Sequence, residues 1–232
     1  QGATDIGQGS NTVIAQIAAD ALGVQVGMIN LVGPDTAITP DCGKTSASRQ
    51  TFITGRAAEA SGLALRAAIL RLTNLTNADE MTLEGGMLCV RQDQNDQKIP
   101  LKDLPTDANG YVLCAEETYD PPTTTLDDNG QGTPYAVYGY GAQIAEVEVD
   151  MALGTTKVLR MVAAHDVGRA INPQLAEGQI EGGIAQGIGL ALMEEYLPGE
   201  TENLHNYLIP TIGDMLHITS ILIEIPDTEG PM

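Results

Sequence analysis

Apolar and polar residues alternate along one stretch in the second half of the chain, and a second apolar-rich stretch follows it. The run QIAEVEVDM from Gln143 places apolar side chains at every second position, and the chain turns at Leu153-Gly154 and returns as KVLRMVAAHDVG. Alternation with a period of two is typical of a half-buried strand, and a turn between two strand-like runs predicts a β-hairpin. Strands are also predicted for VQVGMINLV and near ITSILIEI.

Three other stretches carry the apolar spacing of helices. The first has Ser10 or Asn11 as its N-cap, places apolar residues three and four apart, and ends at Gly23. The second runs from about Thr45 to Leu72 and is entered through the small residues TSAS. The third follows Asn172-Pro173, because proline suits the first helical position.

The starts of these helices share small and neutral polar residues. Gly7-Gln8-Gly9-Ser10 precedes the first, TSAS opens the second, and Gly178-Gln179 lies in the first turns of the third. The third helix keeps five glycines within GQIEGGIAQGIG, although each interior glycine destabilises a helix by about 1 kcal/mol relative to alanine. Free N–H groups and the helix dipole at such ends suit a phosphate or another anion. Ordinary capping, with glycines for turns, explains any one of these sites taken alone.

Mixed helices and strands, with a hairpin and no regular βαβ repeat, predict an α+β fold with mixed sheets. Three such helix starts, if they converge, would bind one large anionic cofactor, so we expect the N-termini of the long helices to face a single cofactor cleft. Residues 75–115 are predicted to form short strands and loops, and DPPTTTLDDNGQGTP is predicted to be a loop. We expect two lobes, residues 1–140 with a loop-rich insert and residues 141–232 with the hairpin and the glycine-rich helix.

Composition narrows the classes of function. A net charge of −20 and a pI near 4.2 argue against a nucleic-acid partner. The cysteines, Cys42, Cys89 and Cys114, lie far apart and form no CxxC, which argues against a cysteine-ligated metal site and favours a reducing cytoplasm. No apolar run is long enough to predict a membrane span.

His165-Asp166 is read as structural, since no nucleophile is placed beside it. Because the chain begins with Gln, we expect a processed or excised piece of something longer.

Three motifs in sequence order carry a resemblance to a known family. They are DIGQGSNTVIAQIAADALG, DTAITPDCGKTSASRQTFITGRA and AHDVGRAINPQLAEGQIEGGIAQGIGLALMEE. The chain resembles the molybdenum-binding subunit of the xanthine dehydrogenase and aldehyde oxidoreductase family of molybdenum hydroxylases. The resemblance implies that the cleft holds a molybdopterin cofactor, usually the cytosine dinucleotide form in bacteria.

The family motifs imply a set of cofactor-binding residues. Gln8 matches the glutamine of the family's GQG turn, and Gln179 matches the glutamine that hydrogen-bonds an oxygen ligand of the molybdenum. In the family the dithiolene of the pterin holds the metal, so no protein atom is expected to bind it directly. Arg49 follows a common bacterial variant of the pterin-binding loop. The implied cofactor-binding residues are Gly7, Gln8, Gly9, Thr45, Ser46, Ala47, Ser48, Gln50, Thr51 and Gln179.

The resemblance also implies an activity and partners. Family members hydroxylate a purine, another N-heterocycle or an aldehyde with water as the oxygen source, and electrons leave through 2Fe-2S clusters to FAD. These centres would lie on partner chains or in further sequence, beside the rest of the molybdenum subunit. The family's catalytic glutamate follows a strand like ILIEIPDTEGPM, so we expect it beyond Met232 and the isolated chain to be inactive. Xanthine is the favoured substrate, before nicotinate or an aldehyde. The alternative is an inactive molybdopterin-binding scaffold or carrier.

Overall fold

The computed structural model describes all residues from Gln1 to Met232 and divides them into two compact units. The first comprises Gln1–Ala136 and Thr228–Met232, and the second comprises Val137–Asp227. Three α-helices and two three-stranded sheets give the α+β class predicted from the sequence. No helix is both long and apolar enough to cross a membrane.

Two helices and a small sheet form the first unit. The helices are α1 (Ser10–Leu22) and α2 (Gln50–Thr73), and the strands are β1 (Glu80–Glu84), β2 (Met87–Gln92) and β3 (Asn95–Pro100). The strands form an antiparallel meander, with β2 in the centre. The hydrophobic core of this unit joins α2 to the sheet through the buried residues Ile69, Ala78, Met81, Leu88 and Val90.

Glycines on α2 let it approach α1 closely. A Cβ atom on Gly62 would lie 2.8 Å from Ala21 Cβ, and one on Gly55 would lie 2.9 Å from Ile17 Cδ1. Real side chains do not tolerate such distances without a shift of their neighbours, so the crossing depends on the absence of side chains there. Arg66 of α2 holds the C-terminal end of α1 and the segment before β1, because its guanidinium donates to the carbonyls of Leu22 and Ala78.

The second unit contains the predicted hairpin. Its elements are β4 (Tyr140–Asp150), β5 (Thr155–Asp166), α3 (Pro173–Leu192) and β6 (Ile218–Ile223). The strands β4 and β5 are antiparallel, with a bulge at Glu146/Val147. Strand β6 lies parallel to β5 on its other side. Helix α3 is therefore the crossover of a βαβ unit, which the sequence pattern did not predict.

Helix α3 covers one face of this sheet. Ile184 and Ile188 of the helix pack against Ala163 of β5, and all three are buried. Every residue of the edge strand β4 is exposed, including Ile144, Val147 and Val149.

Three local predictions are wrong. VQVGMINLV forms no strand, because the chain makes a single 3-10 turn at Val26–Met28 and then runs without regular structure. Helix α2 begins at Gln50 rather than at Thr45. The N-cap of α1 is Gly9, whose φ of 84° only glycine adopts without strain, and Ser10 is already helical. The hairpin, the loop at DPPTTTLDDNGQGTP, the Asn172-Pro173 helix start and the last strand are confirmed.

Candidate functional site

The N-terminus of α1 is already occupied by an anion of the chain itself. The Asp5 carboxylate accepts hydrogen bonds from the backbone N–H groups of Gly7 (2.9 Å), Gly9 (3.2 Å) and Asn11 (3.0 Å). These bonds, that from Asn11 first, hold the pKa of Asp5 below its ordinary value, and partial desolvation opposes them. Of the donors that we predicted for an external anion at this helix end, the N–H groups of Gly7, Gly9 and Asn11 are thus used internally. The signal for this in the sequence is an aspartate two residues before a Gly-x-Gly turn.

Gln8 folds back onto the same turn. Its Oε1 accepts from the N–H of Ile6 (2.7 Å), while Nε2 donates to the carbonyl of Thr4 (2.8 Å) and to Ser10 Oγ (3.2 Å). Both amide hydrogens therefore have partners. What Gln8 can still offer a ligand is the second lone pair of Oε1.

The segment before α2 differs from the segment before α1, because it offers no side chain to the first N–H groups of its helix. Ala47 and Ser48 are non-glycine residues with φ of 54° and 55°, and the N–H of Arg49 bonds to the carbonyl of Ser46 to close a tight turn. The cap residue of α2, Arg49, provides no side-chain cap. The first N–H groups of this helix thus remain available to a ligand. Left-handed non-glycine residues are strained and concentrate at functional sites.

Exposed hydroxyl groups surround this open helix end. Ser46, Ser48 and Thr51 are exposed, and Arg49 and Lys44 supply positive charge nearby. Gln50 differs from them, because it is buried with only 5% of its surface exposed. Backbone N–H groups, hydroxyl groups and two cationic side chains fit a phosphate group at this end of α2.

Hydrogen bonds bring the two predicted motifs of the first unit together. Thr45 Oγ1 accepts from the N–H of Thr4 (3.0 Å) and from Gln50 Nε2 (3.3 Å). Since Thr4 also accepts from Gln8, the Gly7–Gly9 turn and the Ser46–Thr51 segment share one hydrogen-bonded frame.

In the second unit, Gln179 lies on an open face of α3. The helix end is capped by its own residue, because Asn172 Oδ1 accepts from the N–H of Leu175 at 3.1 Å. Gln179, Gly182 and Gly183 are exposed on one face of the helix. A Cβ atom built on either glycine meets nothing within 4 Å, so the packing of this chain does not explain them.

The other candidates have structural surroundings. His165 Nε2 lies 3.0 Å from Gln143 Nε2, and a Cβ on the facing Gly141 would meet the imidazole at 2.7 Å. Asp166 accepts from the N–H of Gly168 and fixes the loop after β5. The cysteines are free, and no group of three or more metal-ligating side chains lies together.

Comparison with known proteins decides the family. Residues 1–216 match the molybdopterin cofactor-binding domain family. The chain belongs to this family. It is 32% identical to the xanthine dehydrogenase molybdenum-binding subunit of Escherichia coli O157:H7, over 99% of this chain and 31% of that protein. It is 36% identical to the aldehyde oxidoreductase of Megalodesulfovibrio gigas, over 98% of this chain and 23% of that protein.

A solved structure supports the same family at the level of the fold. The aldehyde oxidoreductase of Desulfovibrio desulfuricans superimposes with a TM-score of 0.77 at 29% identity, over 99% of this chain and 24% of that one. The chain thus spans about a quarter to a third of the length of the proteins that it matches. The fold is that of a molybdopterin cofactor-binding domain of molybdenum hydroxylases.

We expect Asp5→Ala to destabilise the first unit by about 1 kcal/mol at pH 7, the typical effect of losing a helix cap. The folded pKa of Asp5 lies below its unfolded value, so its contribution is complete above about pH 4 and is lost as the pH falls towards the folded pKa. Urea unfolding followed by circular dichroism from pH 7 to pH 2.5 measures the free energy of unfolding of the wild type and of Asp5→Ala. The two free energies should converge at the acid end of this range. Asp20→Ala, at the C-terminal end of α1, is the matched control and should not lower stability. A constant difference at all pH values would contradict this assignment.

We expect Gly183→Ala to stabilise the second unit by about 1 kcal/mol, because alanine is the better helix former and the new methyl group meets nothing. Gly189→Ala is the control in the same helix. Its Cβ would lie 2.7 Å from Pro210 Cδ and would collide with Glu194 Oε1, so it should destabilise the unit. Thermal unfolding of both variants checks the opposite signs. Equal destabilisation by both would mean that the face around Gly183 is packed.

Proposed function

We propose that this chain holds the molybdopterin cofactor of a molybdenum hydroxylase that uses water to hydroxylate a purine, another N-heterocycle or an aldehyde. A xanthine dehydrogenase-like activity is the first candidate. The observation that carries the proposal is the open N-terminus of α2 behind the left-handed Ala47–Ser48 turn, in a chain that matches the cofactor-binding family over residues 1–216. The relatives are three to four times longer, so we propose the activity for the assembled enzyme and not for the chain alone.

The net charge makes local donors necessary. A chain with a net charge of −20 repels an anionic cofactor at long range. Binding must therefore come from short-range donors, which act within hydrogen-bond distance and are little affected by the overall field. The N–H groups at the start of α2, with the hydroxyl groups of Ser46, Ser48 and Thr51, are such donors.

Each group has a separate task in this proposal. The α2 end holds the phosphate and pterin, with the cytosine dinucleotide form as the expected cofactor. Gly7 and Gly9 let the first turn approach the cofactor, where Gln8 accepts one hydrogen bond. Gln179 lies at the metal end and donates through its carboxamide, and the neighbouring glycines leave room for the cofactor. When bound, the cofactor supplies the two-electron oxidation of the substrate carbon.

The proposed assembly contains further chains or domains. The E. coli relative is named as one subunit of its enzyme, which supports a hetero-oligomer. The free, separated cysteines of this chain offer no ligand set for an iron–sulfur cluster. We place 2Fe-2S and FAD on partner subunits, the rest of the molybdenum subunit against this chain, and the assembly in the cytoplasm. We propose no contact with nucleic acid or membrane.

The test is made on the assembly purified from cells that produce the cofactor. We expect molybdenum, pterin and CMP in equal amounts per chain, and turnover of xanthine, nicotinate or an aldehyde in a substrate panel. Cofactor without turnover would favour the inactive scaffold or carrier. Absence of cofactor from the folded assembly would refute the proposal.

Gln179→Ala should lower kcat by about 10–100-fold at unchanged molybdenum content, the usual effect of removing a group that orients a metal's surroundings. Gln174→Ala is the matched control, since Gln174 is an exposed glutamine on the other side of α3. Steady-state kinetics and metal analysis measure both variants. A kcat within twofold of the wild type for a fully loaded Gln179→Ala enzyme would contradict the placement of Gln179 at the metal end of the cofactor.

A further inference from the structure

Gln50 is one of the few buried polar residues of the chain, and its side chain is satisfied within the chain. Only 5% of its surface is exposed, and it stands in the first turn of α2. Its Nε2 donates to the carbonyl of Lys44 (3.1 Å) and to Thr45 Oγ1 (3.3 Å), and its Oε1 accepts from Thr54 Oγ1. A backbone carbonyl only accepts, so the atom that faces Lys44 must be the amide nitrogen. The carboxamide therefore has no N–H left for a ligand.

These bonds connect the chain on both sides of the strained turn. Lys44 and Thr45 precede the turn, and Gln50 follows it. Arg49 reinforces the connection, because its Nη1 donates to the carbonyls of Cys42 (3.0 Å) and Lys44 (3.1 Å). The carbonyl of Lys44 is thus held by two side chains from the start of α2.

The turn between these anchors requires such support. Ala47 and Ser48 both occupy the left-handed region, which costs about 1–2 kcal/mol for each non-glycine residue. A strained conformation persists only where its surroundings fix it. The anchors on Lys44, Thr45 and the carbonyl of Ser46 supply that fixation, and they keep the hydroxyl groups and the end of α2 in place.

We propose that Gln50 is a positioning residue, which holds the Ala47–Ser48 turn in its left-handed conformation ahead of the cofactor and does not itself contact the cofactor. This differs from the role that the family resemblance implies for Gln50. The inference rests on the proposed function. Through Thr45, the same carboxamide also keeps Thr4 and the Gln8 turn in register with α2.

The test separates positioning from contact by relieving the strain. Gln50→Leu keeps the volume and the burial but removes every hydrogen bond. In the cofactor-loaded assembly, we expect it to release cofactor about 10–100-fold faster than the wild type, measured from the fluorescence of the released pterin and from molybdenum retained after gel filtration. Adding Ala47→Gly should slow the release again by about tenfold, because glycine adopts the left-handed region without support from Gln50 and this change removes no hydroxyl group.

Thr73→Val is the matched control. Thr73 is a buried hydroxyl residue of α2, 6% exposed, and bonds only to the carbonyls of Ile69 and Leu70 in its own helix. It should lower the melting temperature and leave the release rate within twofold of the wild type. A loss of cofactor that merely follows stability would appear in this variant too and would contradict the inference.

The remaining outcomes are also decisive. If Gln50→Leu retains cofactor like the wild type, or if Ala47→Gly gives no rescue, Gln50 does not hold the turn. Failure of the proposed function looks different, because the wild-type assembly would then contain neither molybdenum nor pterin.

Discussion

The unpaired N–H groups at the start of each helix are the constraint on which the rest of this structure depends. Each helix leaves four such donors, which side chains of the chain, water or a ligand can satisfy. Helix α1 takes the carboxylate of Asp5, α3 takes the carboxamide of Asn172, and the cap residue of α2 offers none. A chain that caps two ends and leaves the third open distinguishes helix starts that are structural from one that suits a ligand. The proposed cofactor site gives that difference a chemical meaning, because a helix start with free N–H groups suits a phosphate or another anion.

At the open start of α2, a strained turn lies beside residues whose hydrogen-bonding groups are satisfied. The left-handed Ala47–Ser48 turn is unfavourable in itself, and the residues beside it are among the most fully hydrogen-bonded in the chain. Fixing the turn in this way costs conformational entropy during folding, so that less conformational entropy is lost when a ligand binds there. It also explains why an amide as polar as Gln50 is buried at a surface helix end.

Periodic segments could be predicted from the sequence, and features that depend on remote partners could not. The β4–β5 hairpin and α3 follow from alternation and from Asn172-Pro173, which are local signals. The parallel pairing of β6 with β5 joins residues more than fifty positions apart, and no local pattern encodes it. VQVGMINLV has the composition of a strand but no partner strand, so its β-propensity is not used. The TSAS segment reads as a helix entry, yet its hydrogen bonds to Arg49 and Gln50 favour a turn.

For the site, motif position selects candidate residues but does not give their hydrogen-bond partners. It selects Gln8, Gln50 and Gln179 as three cofactor-binding glutamines. In the structure Gln8 closes its own turn, Gln50 is buried and bonds to the segment before α2, and Gln179 is exposed. Burial and partner geometry separate the three, and neither quantity is available from spacing along the chain.

The exposed edge strand β4 sets the conditions under which this chain can be handled. An eleven-residue edge strand with Ile144 70% exposed and Val149 51% exposed offers a row of unpaired backbone groups beside apolar side chains. Such an edge templates the addition of further strands, and the carboxylates of Glu146, Glu148 and Asp150 are the charges along it that oppose stacking. High salt, which screens those charges, should therefore promote self-association of the purified chain, and storage at low ionic strength and low concentration follows as the practical rule.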